Sequence, residues 1–207
     1  MRYAKHAISI DEDRADFKRV EWGRFDPERP PRDELDNPWF EQVWFPGCHS
    51  DVGGSYPENE ARLSDGALRW MLAAASITPE PVLYDDSVLQ TFPSSTGMQH
   101  DERLAGLGIL TRLLHITYSK RSRILPVPKG KRWSEAAMHK SVYQRFDAGL
   151  VQQYDRKKHY RPDTVRNHVD FHVAFEAGID QTRPDKTTEA RAVDSEWRAD
   201  KKLGQCA

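Results

Sequence analysis

Cysteine is nearly absent from this chain, with only Cys48 and Cys206 among 207 residues. That excludes a disulfide framework and any Cys-x-x-Cys zinc site, and makes a reducing compartment the default. Long apolar runs are missing as well. No stretch approaches the roughly 20 residues of a membrane span, and Met1-Arg2-Tyr3-Ala4-Lys5 is not followed by a signal-peptide core. The expectation is a soluble chain, without a transmembrane segment, that is cytoplasmic at synthesis. Excess charge of one sign is lacking too: 31 basic and 32 acidic residues leave a net charge of -1, with a pI near 6.7. A dedicated nucleic-acid binder would concentrate surplus Lys and Arg, so no nucleic-acid partner is expected. Leu, Ile, Val and Phe together number 41, near the low edge for an ordered protein. Disordered chains usually pair such a composition with strong charge imbalance, so a folded body with polar appendages fits both numbers.

Strand-like residues begin at once, with Tyr3, Ala4, His6, Ala7, Ile8 and Ile10 ahead of the acidic turn Asp11-Glu12-Asp13. An element so near Met1 leads to the expectation of partner elements upstream. Residues 23 to 38, with Gly23, Pro27, Pro30, Pro31 and Pro38, read as a surface loop. Val43-Trp44-Phe45 is a short continuous run of β-branched and aromatic residues, the composition of a strand buried on both faces, and Pro46-Gly47 stops it. Ser64 reads as an N-cap. Leu68, Met71, Leu72 and Ala75 recur at helical spacing, and this amphipathic helix ends before Pro79. Leu104 to Ile116 and Ser134 to Phe146 read as further helices, the first weakened by Gly106 and Gly108. From Asp180 to Lys202, 12 of 23 residues are charged with mixed sign. The expected division is a partial domain over 1–178 and a disordered charged tail over 179–207.

His49 is the candidate reacting group. It stands just past the carboxyl end of the 43–45 strand, on a loop that Gly53 and Gly54 make pliable, where α/β proteins open a crevice. A general base needs an imidazole exposed to a cleft yet fixed in direction, and a short turn on a rigid strand supplies both. The competing reading is a histidine that cross-links its loop beside Ser50 and Asp51. Weaker constellations are the potential ligand pairs His49-x-Asp51 and His168-x-x-x-His172. No Glu follows His168, so the zinc-protease pattern fails, and neither a metal nor another cofactor is expected. Cys48 as a thiol nucleophile is disfavoured because adjacent residues point apart, leaving a small buried side chain as its expected role. The basic run Lys120-Arg121-Ser122-Arg123, with Lys129, Lys131, Arg132 and Trp133, reads either as a solvated face or as a surface for peripheral contact with phospholipid headgroups.

The string Val43-Trp44-Phe45-Pro46-Gly47-Cys48-His49-Ser50-Asp51-Val52-Gly53-Gly54, followed by Leu63-Ser64-Asp65 and Ala67-Leu68-Arg69-Trp70-Met71, resembles a family of uncharacterised α/β-hydrolase domains. That family includes phospholipase effectors delivered by the type VI secretion system. Further matching features are His6-Ala7 with Asp11-Glu12, Met138-His139 with Ser141-Val142 and Arg145, and Tyr160-Arg161-Pro162, so the resemblance spans about residues 2 to 165. It implies a serine esterase whose triad His comes last in chain order and matches His49. His6 is the runner-up, and Asp51, Gly53 and Gly54 are expected to shape the turn. It also implies a lipid or other ester substrate and signal-less export through type VI secretion.

No Gly-x-Ser-x-Gly occurs; the nearest case, Gly54-Ser55-Tyr56, lacks the second glycine and follows His49. Cys48 and Ser55 replace residues that are commonly small or apolar, and glycine, in the family. The expected fold class is therefore α/β, the carboxyl-terminal portion of an α/β-hydrolase fold, with few parallel core strands, flanking helices and a polar tail. Its partner would be the upstream half, which carries the nucleophile and the acid, and the isolated chain would be inactive. The rival expectation is a non-catalytic remnant or interaction module.

Overall fold

The computed structural model describes residues 3–14, 17, 32–33, 36–102 and 122–176. Strand β1 (Ala4–Ser9) pairs in parallel with β2 (Phe40–Phe45), in register from Ala4 opposite Phe40 to Ser9 opposite Phe45. On the other side of β2 the chain passes a third time in parallel. The Trp44 N–H donates to Ala137 O, the His139 N–H donates to Trp44 O, and Met138 bridges Trp44. β2 is thus flanked on both edges, and its side chains alternate between two layers. Val43 and Phe45 join Ala67 and Trp70 on one face, with Ala7 and Ala137 against them. Trp44 joins Ile8, Met138, Val142, Phe146 and Tyr160 on the other. A strand with a core on each side has no solvent face, which is why 43–45 is apolar throughout. The result is a small mixed α/β arrangement, with few parallel strands and helices on both faces.

After β2 come α1 (His49–Gly53) and α2 (Arg62–Ser76). His49 therefore opens a short helix instead of lying on an irregular loop. α2 begins at Arg62, so Ser64 is inside its first turn, its hydroxyl donating to Ala61 O at 2.8 Å, and it does not cap the helix. The buried face of α2 also differs from the expected one, being Leu63, Ala67, Trp70 and Ala74, while Leu68 is 39% exposed. The helix expected from Ser134 starts later, as α3 (Lys140–Asp147). Residues 137–139 are instead drawn into pairing with β2, and the His139 ring accepts the Ser141 N–H as the cap. A hairpin follows, β3 (Val151–Gln153) with β4 (Arg156–Lys158), then a 3-10 turn (Asp163–Val165) and α4 (His172–Glu176). His168 lies ahead of α4, its Nε2 bonded to Ala136 O at 2.9 Å, while His172 stacks on Trp133, so the two do not share a helical face. The expected 104–116 helix, residues 23–31, 34 and 35 of the expected 23–38 loop, and the 179–207 tail lie outside the described residues.

Candidate functional site

The loop joining β2 to α1 is tied to the end of β1 by its backbone. Ile10 N–H donates to Phe45 O at 2.9 Å and Asp11 N–H to Gly47 O at 3.0 Å. The loop returns the favour through its own amides. Gly47 N–H donates to Asp11 Oδ2 (2.7 Å), Cys48 N–H to Asp51 Oδ2 (3.0 Å) and His49 N–H to Glu12 Oε2 (3.3 Å). Gly47 holds φ at +109°, a conformation open to glycine, and a Cβ there would collide with the Asp51 side chain.

Each carboxylate has further partners. Asp11 accepts the Tyr160 hydroxyl at 2.7 Å. Burial pushes its carboxyl upward, with the bonds from Tyr160 and Gly47 acting in opposition. Glu12 receives Arg14 in a two-point bond, Nε to Oε1 at 2.8 Å and Nη2 to Oε2 at 2.7 Å. Burial disfavours its charge, yet the guanidinium prevails and holds the group below the ordinary glutamate range. Arg14 also reaches Glu102 at 2.5 Å, and Glu102 accepts the Tyr56 hydroxyl at 3.0 Å. Asp51 is buried and accepts both the backbone N–H of His100 (3.0 Å) and its ring Nδ1–H (2.7 Å). The other ring nitrogen faces Glu60 Oε2 at 3.1 Å, and the ring stacks on Tyr56. Burial opposes charge on His100, but the two carboxylates raise its pKa above the usual histidine value.

His49 itself is exposed, its ring edge-on to Phe17 with centroids 5.7 Å apart, and among the described residues no carboxylate meets the imidazole. It borders a crevice of about 530 Å³ whose wall includes His6, Phe17, Leu68, Met71 and Arg123. His6 and His49 therefore share one cavity, with Gln42 Nε2 2.9 Å from His6 Nδ1. Gly53 and Gly54 are also on its rim, and only Gly54 of the two has positive φ, at 87°. Cys48 is buried, and burial together with the Asp51 charge pushes its thiol far up, the opposite of an activated nucleophile.

The sequence singles out His49, His6 and Asp51 without bringing His6 beside His49, and it misses Asp11, Glu12 and His100 as fasteners of the His49 loop. The signal for Asp11-Glu12 was present as an acidic turn directly after a strand, whereas nothing local marks His100. The helical spacing of Leu68 and Met71 is real, and both line the crevice, Met71 while also packing against the Val43–Phe45 layer. Among the described residues no three His, Cys, Asp or Glu side chains gather as a metal set, and no described helix is long and apolar enough to cross a membrane.

No curated protein and no solved structure matches the chain. The features at Met138-His139 and Tyr160-Arg161-Pro162 lie beyond the span of the family match, which ends at residue 74. Within that span are β1, β2, α1 and most of α2, hence His6, Asp11, Glu12, His49 and Asp51. Over residues 1–74 the chain matches the family model of the type VI secretion system (T6SS) phospholipase effector, Tle1-like, catalytic domain.

Proposed function

We propose that residues 1–178 are the carboxyl-terminal part of an α/β-hydrolase domain acting on phospholipid esters, and that His49 is its general base and acid. The observation that carries this reading is an exposed imidazole at the carboxyl end of a parallel strand, on the rim of a crevice with an apolar wall. In the reaction His49 takes the proton of a serine hydroxyl as its oxygen attacks the ester carbonyl. It then delivers that proton to the departing alcohol. A water repeats the sequence on the acyl-enzyme, releasing the fatty acid and restoring the serine. Leu68 and Met71 suit an acyl chain, since each is apolar and open to the cavity.

These 207 residues hold no Gly-x-Ser-x-Gly, so the proposal assigns the serine and the acid that orients His49 to polypeptide outside them. The oxyanion donors belong there too, because the amides of residues 47, 48 and 49 already serve carboxylates. The chain alone is then inactive. His6 remains the second candidate base, and Asp51, Gly53 and Gly54 shape the turn. Export follows the type VI route, and membrane contact is peripheral. Co-expression with the upstream half of a Tle1-like phospholipase, followed by assay of fatty acid release from phospholipid vesicles, tests the reading. Activity should require both halves and vanish with His49→Ala. Activity that survives His49→Ala but falls with His6→Ala would transfer the role to His6.

A further inference from the structure

We propose that Glu12, together with Asp11, is a positioning residue for His49; this rests on the reading of His49 as the base. Among the described residues no carboxylate meets the exposed imidazole, so what this chain supplies to its placement is mainly its own backbone. That backbone is held in an unusual manner. Three consecutive N–H groups, at 47, 48 and 49, each donate to a different carboxylate, on Asp11, Asp51 and Glu12. Two of the three acceptors are adjacent residues leaving β1, so the loop that presents His49 is fastened to the neighbouring strand as well as to its own helix. Hydrogen bonds to charged acceptors are about twice as strong as neutral ones.

The acceptors cannot drift, because each has a second anchor. Tyr160 holds Asp11, Arg14 holds both oxygens of Glu12, and His100 holds Asp51. Arg14 is itself tied to Glu102. Anchors from three separate stretches of chain, at Arg14, at His100 to Glu102 and at Tyr160, thus converge on three peptide groups. Reacting groups must be placed within a fraction of an ångström, and a displacement of about 1 Å can cost roughly 100-fold in rate. With the orienting acid assigned to another polypeptide, what this chain contributes to that precision is a fixed peptide. Glu12 is the decisive member because it alone bonds the amide of His49 itself.

NMR on the full chain tests this without a partner. In the wild type the amides of 47, 48 and 49 should exchange slowly with solvent, although His49 is exposed, and the His49 ring protons should carry the shift that Phe17 imposes. Glu12→Ala should speed exchange at His49 at least about tenfold and abolish that shift, with Val43 and Phe45 changed less than about twofold. Glu12→Gln keeps an acceptor and should restore the ring shift. Unprotected wild-type amides at 47 to 49, or a folded Glu12→Ala chain with an unmoved His49 ring, would overturn the proposal. In the two-part hydrolase, Glu12→Ala should lower kcat about 100-fold with KM nearly constant. Hydrolysis lost with His49→Ala but unaffected by Glu12→Ala sinks the positioning role, whereas hydrolysis indifferent to His49→Ala sinks the catalytic reading instead.

Discussion

His100 is clamped to Asp51 by two hydrogen bonds, one from its backbone and one from its ring, at 3.0 and 2.7 Å. The second ring nitrogen meets Glu60, so full bonding requires the imidazolium, with both nitrogens protonated. One side chain thereby joins the segment after residue 98 to α1 and to the stretch before α2.

A pH dependence results. The folded chain raises the His100 pKa above the ordinary 6.5, so between those two values it binds more protons than the unfolded chain. The stabilisation is complete below the unfolded value and disappears as pH rises through the folded one. NMR titration of the His100 ring should give a midpoint above 6.5, and His100→Gln should flatten the stability profile in that window. A midpoint below 6.5 would contradict the clamp.

His139 titrates in the opposite sense. Burial, helped by Lys140, lowers its pKa from 6.5 to about 4. The unfolded chain then takes up a proton that the folded one refuses, and stability falls as pH drops from 6.5 toward 4, by roughly 3 kcal/mol at the limit. Asn at this position keeps a capping oxygen for Ser141 but cannot titrate. Urea unfolding at pH 7 and pH 4.5 should show a smaller difference for His139→Asn than for the wild type.

Ser55 stands at φ 105°, a conformation that a side chain resists. Ser55→Gly should raise stability by about 1 kcal/mol, because relief of strain outweighs the added freedom of the unfolded chain. Thermal unfolding at fixed pH is the check, and a lower melting temperature would refute it.

Gly47→Ala should do the reverse. The added methyl meets the Asp51 side chain at a φ of +109°, so both the backbone and the carboxylate must move. A loss of about 2–4 kcal/mol is expected. The Cys48 amide should lose protection in hydrogen exchange as Asp51 is pushed aside.

The parts legible in the sequence were those with a local signature. Val43-Trp44-Phe45 announces a doubly covered strand, and Pro46-Gly47 ends it, because burial and turn chemistry act within a few residues. The start of α2 was misplaced because Ser64 satisfies the capping pattern, although Arg62, Leu63 and Ser64 already lie in the first turn. Ala136, Ala137 and Met138 read as helix, whereas the second edge of β2, about 90 residues earlier, claims the backbone of residues 137–139. Long-range hydrogen bonding outweighed propensity there. The same limit hid His100, whose value depends on Asp51 and Glu60, 49 and 40 residues away.

β2 imposes an unusual intolerance of insertion and deletion. Since Trp44 belongs to one layer and Val43 and Phe45 to the other, removing a single residue from 40–45 would exchange the layers' contents and send the bulky indole toward Trp70. It would also shift residues 47–49 by one against Asp11 and Glu12, so folding and His49 presentation would fail together. Viable natural variants should therefore vary in length only outside the stretch from residue 40 to residue 51.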